Sequence, residues 1–247
     1  MVKYNFWEDW RNKTEIELNA IEKVKLARDL IIKSVPKKVL IAIYIKGSFV
    51  RREMKEGSDV DMVPIVSEYK YQGNIWETNV PEVNPVVIVP LSLEELRDNK
   101  LYSKNDIQPD LRAKPDRFLD KLSSFKLIYG TPLNPKDFPI RKDIEALKDE
   151  IKVIREGYLP SYEKNKIDFS TFLKEVFWLI ELEQKVKGKN IEHSFQGILK
   201  SVNDKNHIIN DVFEFRKNPP KDKEKKVFII KLKKYFDVLE KEILLIR

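Results

Sequence analysis

Two aspartates separated by one residue, Asp59 and Asp61, are the residues of this sequence best suited to chemistry. They begin the segment DVDMVPIV, whose β-branched and apolar residues are typical of a buried strand. Because side chains alternate along a strand, both carboxylates point to one face while Val60 and Met62 enter the core. Neighbouring carboxylates repel each other, and a shared divalent cation offsets that repulsion. Magnesium prefers oxygen ligands from one or two carboxylates and from phosphates, so the pair predicts a magnesium site.

A small polar turn, Gly47-Ser48, follows directly on the apolar run VLIAIYI at positions 39–45. Such a run is expected of a strand that is buried on both faces. Glycine lets the backbone approach a ligand closely, and the Ser48 hydroxyl is available to phosphate oxygens, particularly where a helix begins next. The turn is therefore a candidate phosphate-binding loop.

The predicted helices and strands that position these residues alternate along the sequence, and the strands belong to one sheet. Thr14 and Glu17 have the spacing of a capping box, which predicts a helix of about 20 residues that ends before Pro36. Strands are predicted over 39–45, 59–66, 85–91 and 125–129, and short helices after residues 92 and 115. Pro64 lies within the second strand, and because proline cannot donate to a ladder we expect it at an edge, a bulge or an unpaired position.

The strand pattern stops at about residue 140, and the remainder is helical. Helical periodicity covers 141–157, 168–187, about 191–202, 206–217 and 222–246, with breaks at Gly157, Pro160, Gly188 and Pro219. The sequence therefore predicts an α+β domain over 1–139, with a mixed sheet flanked by helices. An all-helical bundle for acceptor binding or interaction follows over 140–247, and the proline-containing segment 133–139 joins the two.

The amino-acid composition restricts the kinds of metal site that this protein can have. The 247 residues contain no cysteine and two histidines, which excludes disulfides, thiolate metal sites and a histidine-built zinc centre. No apolar run reaches the roughly 20 residues of a membrane span, and the N-terminal segment lacks a secretory pattern, so we expect a cytoplasmic protein without membrane association. High lysine and glutamate usage is typical of thermophile proteins.

The stretch KGSFVRREMKEGSDVDMVPIV at positions 46–66 resembles the signature of the DNA polymerase β-like nucleotidyltransferases, in particular the minimal and aminoglycoside types. Those families write roughly G-S-x-A-R-G, a spacer, and then S-D-x-D followed by an apolar residue. Arg51 and Ser58 match the arginine and the second serine of that pattern. The segment FKLIYG at 125–130 is similar to a late strand of many aminoglycoside nucleotidyltransferases, so the resemblance covers about residues 14–135.

The resemblance implies a polymerase β-like domain and an activity. In the family the Gly-Ser loop holds the triphosphate and the two acids bind magnesium. Gly47, Ser48, Arg51 and Ser58 would therefore contact nucleotide, and Asp59 and Asp61 would hold Mg²⁺, with room for a second ion. The implied reaction transfers a nucleoside monophosphate, most simply AMP from ATP although another triphosphate is open, to an acceptor hydroxyl. The acceptor is left open among a small molecule, a protein side chain and an RNA 3′ end.

Two positions depart from the family pattern. Arg52 stands where the family has glycine, and it either crowds the loop or adds a phosphate contact. Many members also place a third carboxylate on the next strand as ligand or base, whereas residues 85–91 contain none. Glu82 lies just upstream and is our candidate for that catalytic role. If Glu82 is misplaced, the alternative is a non-catalytic nucleotide-binding or regulatory protein.

The helical half leaves two further alternatives open. The formal net charge of +7 is concentrated beyond residue 139, which fits either a solvated face or an RNA-binding module. The last predicted helix carries apolar positions that either pack inside the bundle or form the seam of a homodimer.

Overall fold

The computed structural model describes residues 3–102, 112 and 114–245. The chain divides into two compact units, Met1–Ile140 and Arg141–Arg247. Among the described residues, no helix combines the length and apolar character needed to cross a membrane. The predicted α+β class is confirmed, because a mixed sheet with helices occupies the first unit and the described residues of the second are helical or lie in connections.

The first unit alternates helices and strands. Its helices are α1 (Glu15–Ser34), α2 (Ser48–Arg51), α3 (Gln72–Trp76), α4 (Leu93–Asp98) and α5 (Pro115–Asp120). Its strands are β1 (Leu40–Lys46), β2 (Val60–Val66), β3 (Val86–Ile88), β4 (Leu91–Ser92) and β5 (Lys126–Gly130). The capping box predicted at the start of α1 is confirmed, since the Glu17 backbone donates to the Thr14 side chain and the Thr14 backbone donates to the Glu17 carboxylate.

The strand order is β3-β2-β1-β5, with β4 pairing the far end of β2. β1 runs antiparallel to β2 and β5, whereas β3 and β4 run parallel to β2. The registers place Lys46 of β1 opposite Asp61 of β2, and Asp61 opposite Val87 of β3. Because paired residues point to the same face of a sheet, these three side chains form one row across three strands.

Pro64 occupies a gap in the ladder, as expected for a residue without an amide proton. Met62 pairs Ile88 at the end of β3, and Ile65 pairs Leu91 at the start of β4. Pro64 therefore faces the break between the two parallel strands, where no strand residue needs its missing donor. The prediction of one continuous strand over 85–91 was wrong, because the chain forms two short strands separated at Val89 and Pro90.

Both faces of the sheet are covered by apolar clusters. One cluster combines the inner face of α1 with residues of all three long strands, and the other combines the opposite face with α4 and α5. Phe49 of α2 is fully buried in the first cluster. It lies among three aromatic rings of the N-terminal segment, with ring centroids 5.9 Å from Phe6, 6.2 Å from Trp7 and 5.1 Å from Trp10. The segment that follows Gly47 is thus anchored by packing.

The second unit consists of helices α6 (Asp143–Val153), α7 (Leu159–Glu163), α8 (Phe169–Val186), α9 (Phe195–Ser201), α10 (Ile209–Lys217) and α11 (Asp222–Leu245). α8 packs against α6, α9 and α10, and most of its apolar side chains are buried. The predicted break at Gly157 and Pro160 is not observed. A π-helical segment, Ile154–Tyr158, joins α6 to α7, and Pro160 falls in the first turn of α7, where proline is tolerated.

Each of the two histidines contacts a buried glutamate of α8. His193 Nδ1 lies 3.0 Å from the Glu181 carboxylate, and His207 Nε2 lies 3.1 Å from Glu183 Oε2. Burial by itself would raise the pKa of Glu183, but hydrogen bonds from His207 and Lys187 outweigh burial and hold that pKa at about 2. Both histidines are therefore polar residues with carboxylate partners inside the second unit.

Candidate active site

The turn between β1 and α2 has a backbone that only glycine adopts readily. Gly47 has φ 83° and ψ −154°. A Cβ atom added to Gly47 would lie 2.9 Å from Asp61 Oδ2. The carboxylate of β2 therefore packs directly against the Gly47 backbone, a close approach that any side chain at this position would prevent.

Asp61 lies between this turn and a lysine. Lys46 Nζ is 3.8 Å from Asp61 Oδ1, and the two side chains are 37% and 25% exposed. One carboxylate oxygen thus faces an ammonium group and the other faces the Gly47 backbone. The Coulomb attraction of a partly exposed pair is modest, so Asp61 keeps the capacity to bind a stronger cation.

Asp59 precedes β2 and is exposed. Within the described residues its carboxylate has no hydrogen bond or ion pair. Two carboxylates at the start of one strand, one of them unpartnered and the other against the Gly47 backbone, fit a hard cation such as Mg²⁺. Asp59 and Asp61 would hold that ion, and oxygens of a bound phosphate would complete its coordination.

Arg52, at the position of the family glycine, contacts neither aspartate. It adopts a left-handed backbone with φ 60°, which explains why glycine suits this position. Its guanidinium donates to both Glu17 carboxylate oxygens, at 2.8 and 2.9 Å, and stacks over Trp10 at 5.1 Å. This hydrogen-bonded pair lowers the pKa of Glu17 to about 2. Arg52 thus ties the loop to the start of α1 and neither crowds the turn nor extends into it.

We expect Arg52→Gly to lower the melting temperature at neutral pH, because buried Glu17 loses its partner while the left-handed backbone is relieved. A carboxyl whose folded pKa is depressed contributes stability above its unfolded pKa, and that stability is lost as pH falls through the folded pKa. The difference in melting temperature between wild type and variant should therefore shrink as the pH falls from about 5 to about 2. Thermal denaturation monitored by circular dichroism measures this.

Arg51→Gly is the matched control, because Arg51 pairs only with exposed Glu53, at 2.7 Å, among the described residues. A difference between wild type and Arg52→Gly that stays constant over this pH range would contradict the assignment to Glu17.

The other predicted nucleotide-binding residues differ in their availability. The Ser48 hydroxyl follows Gly47 and makes no hydrogen bond within the described residues, so it is available to a ligand. Ser58 Oγ accepts a hydrogen bond from the Lys55 backbone at 2.9 Å and shapes the loop before Asp59. The side chain of Arg51 is paired with Glu53. The nucleotide-binding roles of Arg51 and Ser58 stay predictions.

The predicted catalytic acid Glu82 is exposed in the turn Pro81–Val83, and its backbone carbonyl accepts a hydrogen bond from Lys23 Nζ at 2.7 Å. In the part of the chain that the structure describes, no three acidic or histidine side chains are grouped to hold a metal, so Glu82 does not join Asp59 and Asp61 in such a group. The β3 neighbour of Asp61 is Val87, whose side chain is 41% exposed. The catalytic role of Glu82 stays a prediction.

Lys46 is the residue of this site that sequence reasoning missed. A usable signal was present, because Lys46 is the one charged residue of an otherwise apolar strand segment and it directly precedes Gly47. Only the antiparallel register of β1 and β2 brings it opposite Asp61.

Comparison with solved structures finds similarity to two proteins described as nucleotidyltransferases. A candidate nucleotidyltransferase of Sulfolobus solfataricus is similar at 20% identity and TM-score 0.27, over 35% of this chain and 82% of that one. The spectinomycin adenyltransferase AAD(9) from Enterococcus faecialis, solved with ATP and spectinomycin, is similar at 14% identity and TM-score 0.45, over 80% of this chain and 97% of that one. No family model matches the chain, and no curated protein matches it. Identities this low carry no information on substrate.

Proposed function

We propose that this protein is a magnesium-dependent nucleotidyltransferase of the polymerase β-like type. The observation that carries the proposal is the juxtaposition of Gly47 and Asp61, in which the glycine lets the turn lie directly against a carboxylate. In this proposal the Gly47 backbone and the Ser48 hydroxyl contact the triphosphate of ATP, and Asp59 and Asp61 hold the metal. The same proposal includes a catalytic domain over 1–139 and a helical domain over 140–247 that serves acceptor binding or interaction.

The proposed reaction forms a bond between an acceptor oxygen and the α-phosphorus while the bond from that phosphorus to the bridging oxygen of pyrophosphate breaks. A bound magnesium ion would supply charge neutralisation of the phosphates and favour pyrophosphate departure. The chain positions the nucleotide, since Gly47 admits it closely and Ser48 donates a hydrogen bond. The acceptor proton passes to solvent water, since no third acid is grouped with Asp59 and Asp61 among the described residues.

Release of pyrophosphate tests this activity. The protein is incubated with Mg²⁺, each α-labelled nucleoside triphosphate and three acceptor classes, namely hydroxylated small molecules, proteins with exposed tyrosine or serine, and RNA with a free 3′ end. We expect label transfer and pyrophosphate release from ATP with one acceptor class. The double variant Asp59→Asn/Asp61→Asn, in which both proposed metal ligands are lost, is the control and should release none.

Val87 favours a second candidate function. It lies beside Asp61 on the strand where the resemblance implies a third carboxylate, and its side chain cannot act as a ligand or base. A protein with this change could bind MgATP as a sensor without transferring it. Tight MgATP binding with no pyrophosphate release from any acceptor class would support this candidate over the transferase.

A further inference from the structure

The proposed site needs net positive charge to attract a triphosphate. Asp59 and Asp61 carry two negative charges, so one divalent cation neutralises them and leaves little net attraction for a polyphosphate. A third carboxylate would allow a second divalent ion, which would supply that attraction. The position beside Asp61 on β3 is taken by Val87, and the described residues offer no group of three acids there.

Lys46 lies on the other side of Asp61 in the same row of side chains. Its Nζ is 3.8 Å from Asp61 Oδ1, which is beyond hydrogen-bond distance. Within the described residues this ammonium has no hydrogen-bond acceptor, so its three donors are available to a ligand. Lys46 also directly precedes Gly47, so its charge lies at the entrance of the proposed phosphate-binding turn.

We propose that Lys46 is a substrate-binding residue that contacts the triphosphate and takes the place of a second divalent cation, so that the site holds one metal ion. This inference rests on the proposed nucleotide binding and specifies its charge balance. A lysine ammonium is a compact point charge that binds phosphate oxygens well. It contributes positive charge without the third carboxylate that a second metal ion would need, which is consistent with valine at position 87.

The test counts ions and measures affinity on the full chain, with the non-hydrolysable analogue α,β-methylene-ATP as the probe. Binding of Mn²⁺ in the presence of saturating probe is counted by electron paramagnetic resonance, and probe affinity is measured by calorimetry. We expect one Mn²⁺ per chain. Lys46→Gln should weaken probe binding by about tenfold to a hundredfold, the value of one charge-assisted hydrogen bond.

Lys38→Gln is the matched control. Lys38 is an exposed lysine just before the opposite end of β1, so the same charge is removed far from the turn. Its probe affinity should equal that of wild type. Val87→Asp, at an exposed position beside Asp61, should raise the count to two Mn²⁺ and restore probe affinity in the Lys46→Gln background.

Two Mn²⁺ bound to wild type, or equal probe affinity in Lys46→Gln and Lys38→Gln, would overturn the role of Lys46 and leave nucleotide binding standing. No probe binding by wild type with Mn²⁺ present would overturn the proposed function, and with it the inference about Lys46.

Discussion

Asp61→Asn is expected to weaken magnesium-dependent ATP binding by at least about a hundredfold, because loss of even a supporting group of a metal site costs about 10–100-fold. Asp59→Asn should have a similar effect, since the two carboxylates are the proposed ligands. Calorimetric titration with MgATP, and with ATP in the presence of a chelator, measures both affinities. Each variant should bind MgATP about as weakly as wild type binds ATP without metal.

Stability separates this effect from unfolding. Asp61→Asn removes a partly exposed pair with Lys46, worth about 0–1 kcal/mol, and also relieves repulsion from Asp59. The melting temperature without metal should therefore change little. Asp137→Asn, at an exposed acid of the turn Pro135–Asp137, controls for the charge change and should bind MgATP normally. Wild-type affinity in both Asp59→Asn and Asp61→Asn would refute the metal-site assignment.

Gly47→Ala is expected to abolish most nucleotide binding through two separate effects. The new Cβ lies 2.9 Å from Asp61 Oδ2, so the carboxylate must rotate away from the position in which it would hold a metal. The backbone at φ 83° is also strained for alanine, at a cost of order 1–3 kcal/mol in stability. Calorimetry with MgATP should show a loss of at least about tenfold, and thermal denaturation should show a lower melting temperature.

Gly188→Ala isolates the backbone strain. Gly188 has φ 77°, and a Cβ added there meets no atom within 4 Å. Gly188→Ala should lower the melting temperature by about as much as Gly47→Ala does, and it should leave the affinity for MgATP unchanged. If Gly47→Ala and Gly188→Ala bind MgATP equally well, nucleotide binding does not depend on the close contact between Gly47 and Asp61.

Local sequence signals were sufficient for much of the first unit. The capping residues of α1, the buried strand β1 and the Asp-x-Asp start of β2 depend on neighbours within a few residues, so their pattern is readable from the chain alone. The interpretation of Gly47 as a position of close approach rests on the same local logic, and its positive φ agrees with that interpretation.

Non-local pairing determined the rest of the site. The position of Val87 beside Asp61 depends on parallel pairing between β2 and β3, which the sequence of either strand does not specify. The contact of Lys46 with Asp61 depends on the register of β1 and β2 in the same way. Arg52 is a third example, because its partner Glu17 lies 35 residues away and no local pattern links them.

Two tryptophans lie beside Phe49, so tryptophan fluorescence is sensitive to the conformation of the loop that follows Gly47. Trp7 and Trp10 pack on the residue that lies two positions after Gly47, and Trp10 also lies under the Arg52 guanidinium. Trp7 is almost completely buried, whereas Trp76 is exposed, so their emission wavelengths differ. A rearrangement of the loop changes the packing and charge around two indole rings at once. Changes in the intrinsic tryptophan fluorescence of the unlabelled chain therefore report on the conformation of the proposed phosphate-binding turn, against the emission of Trp76 and Trp178.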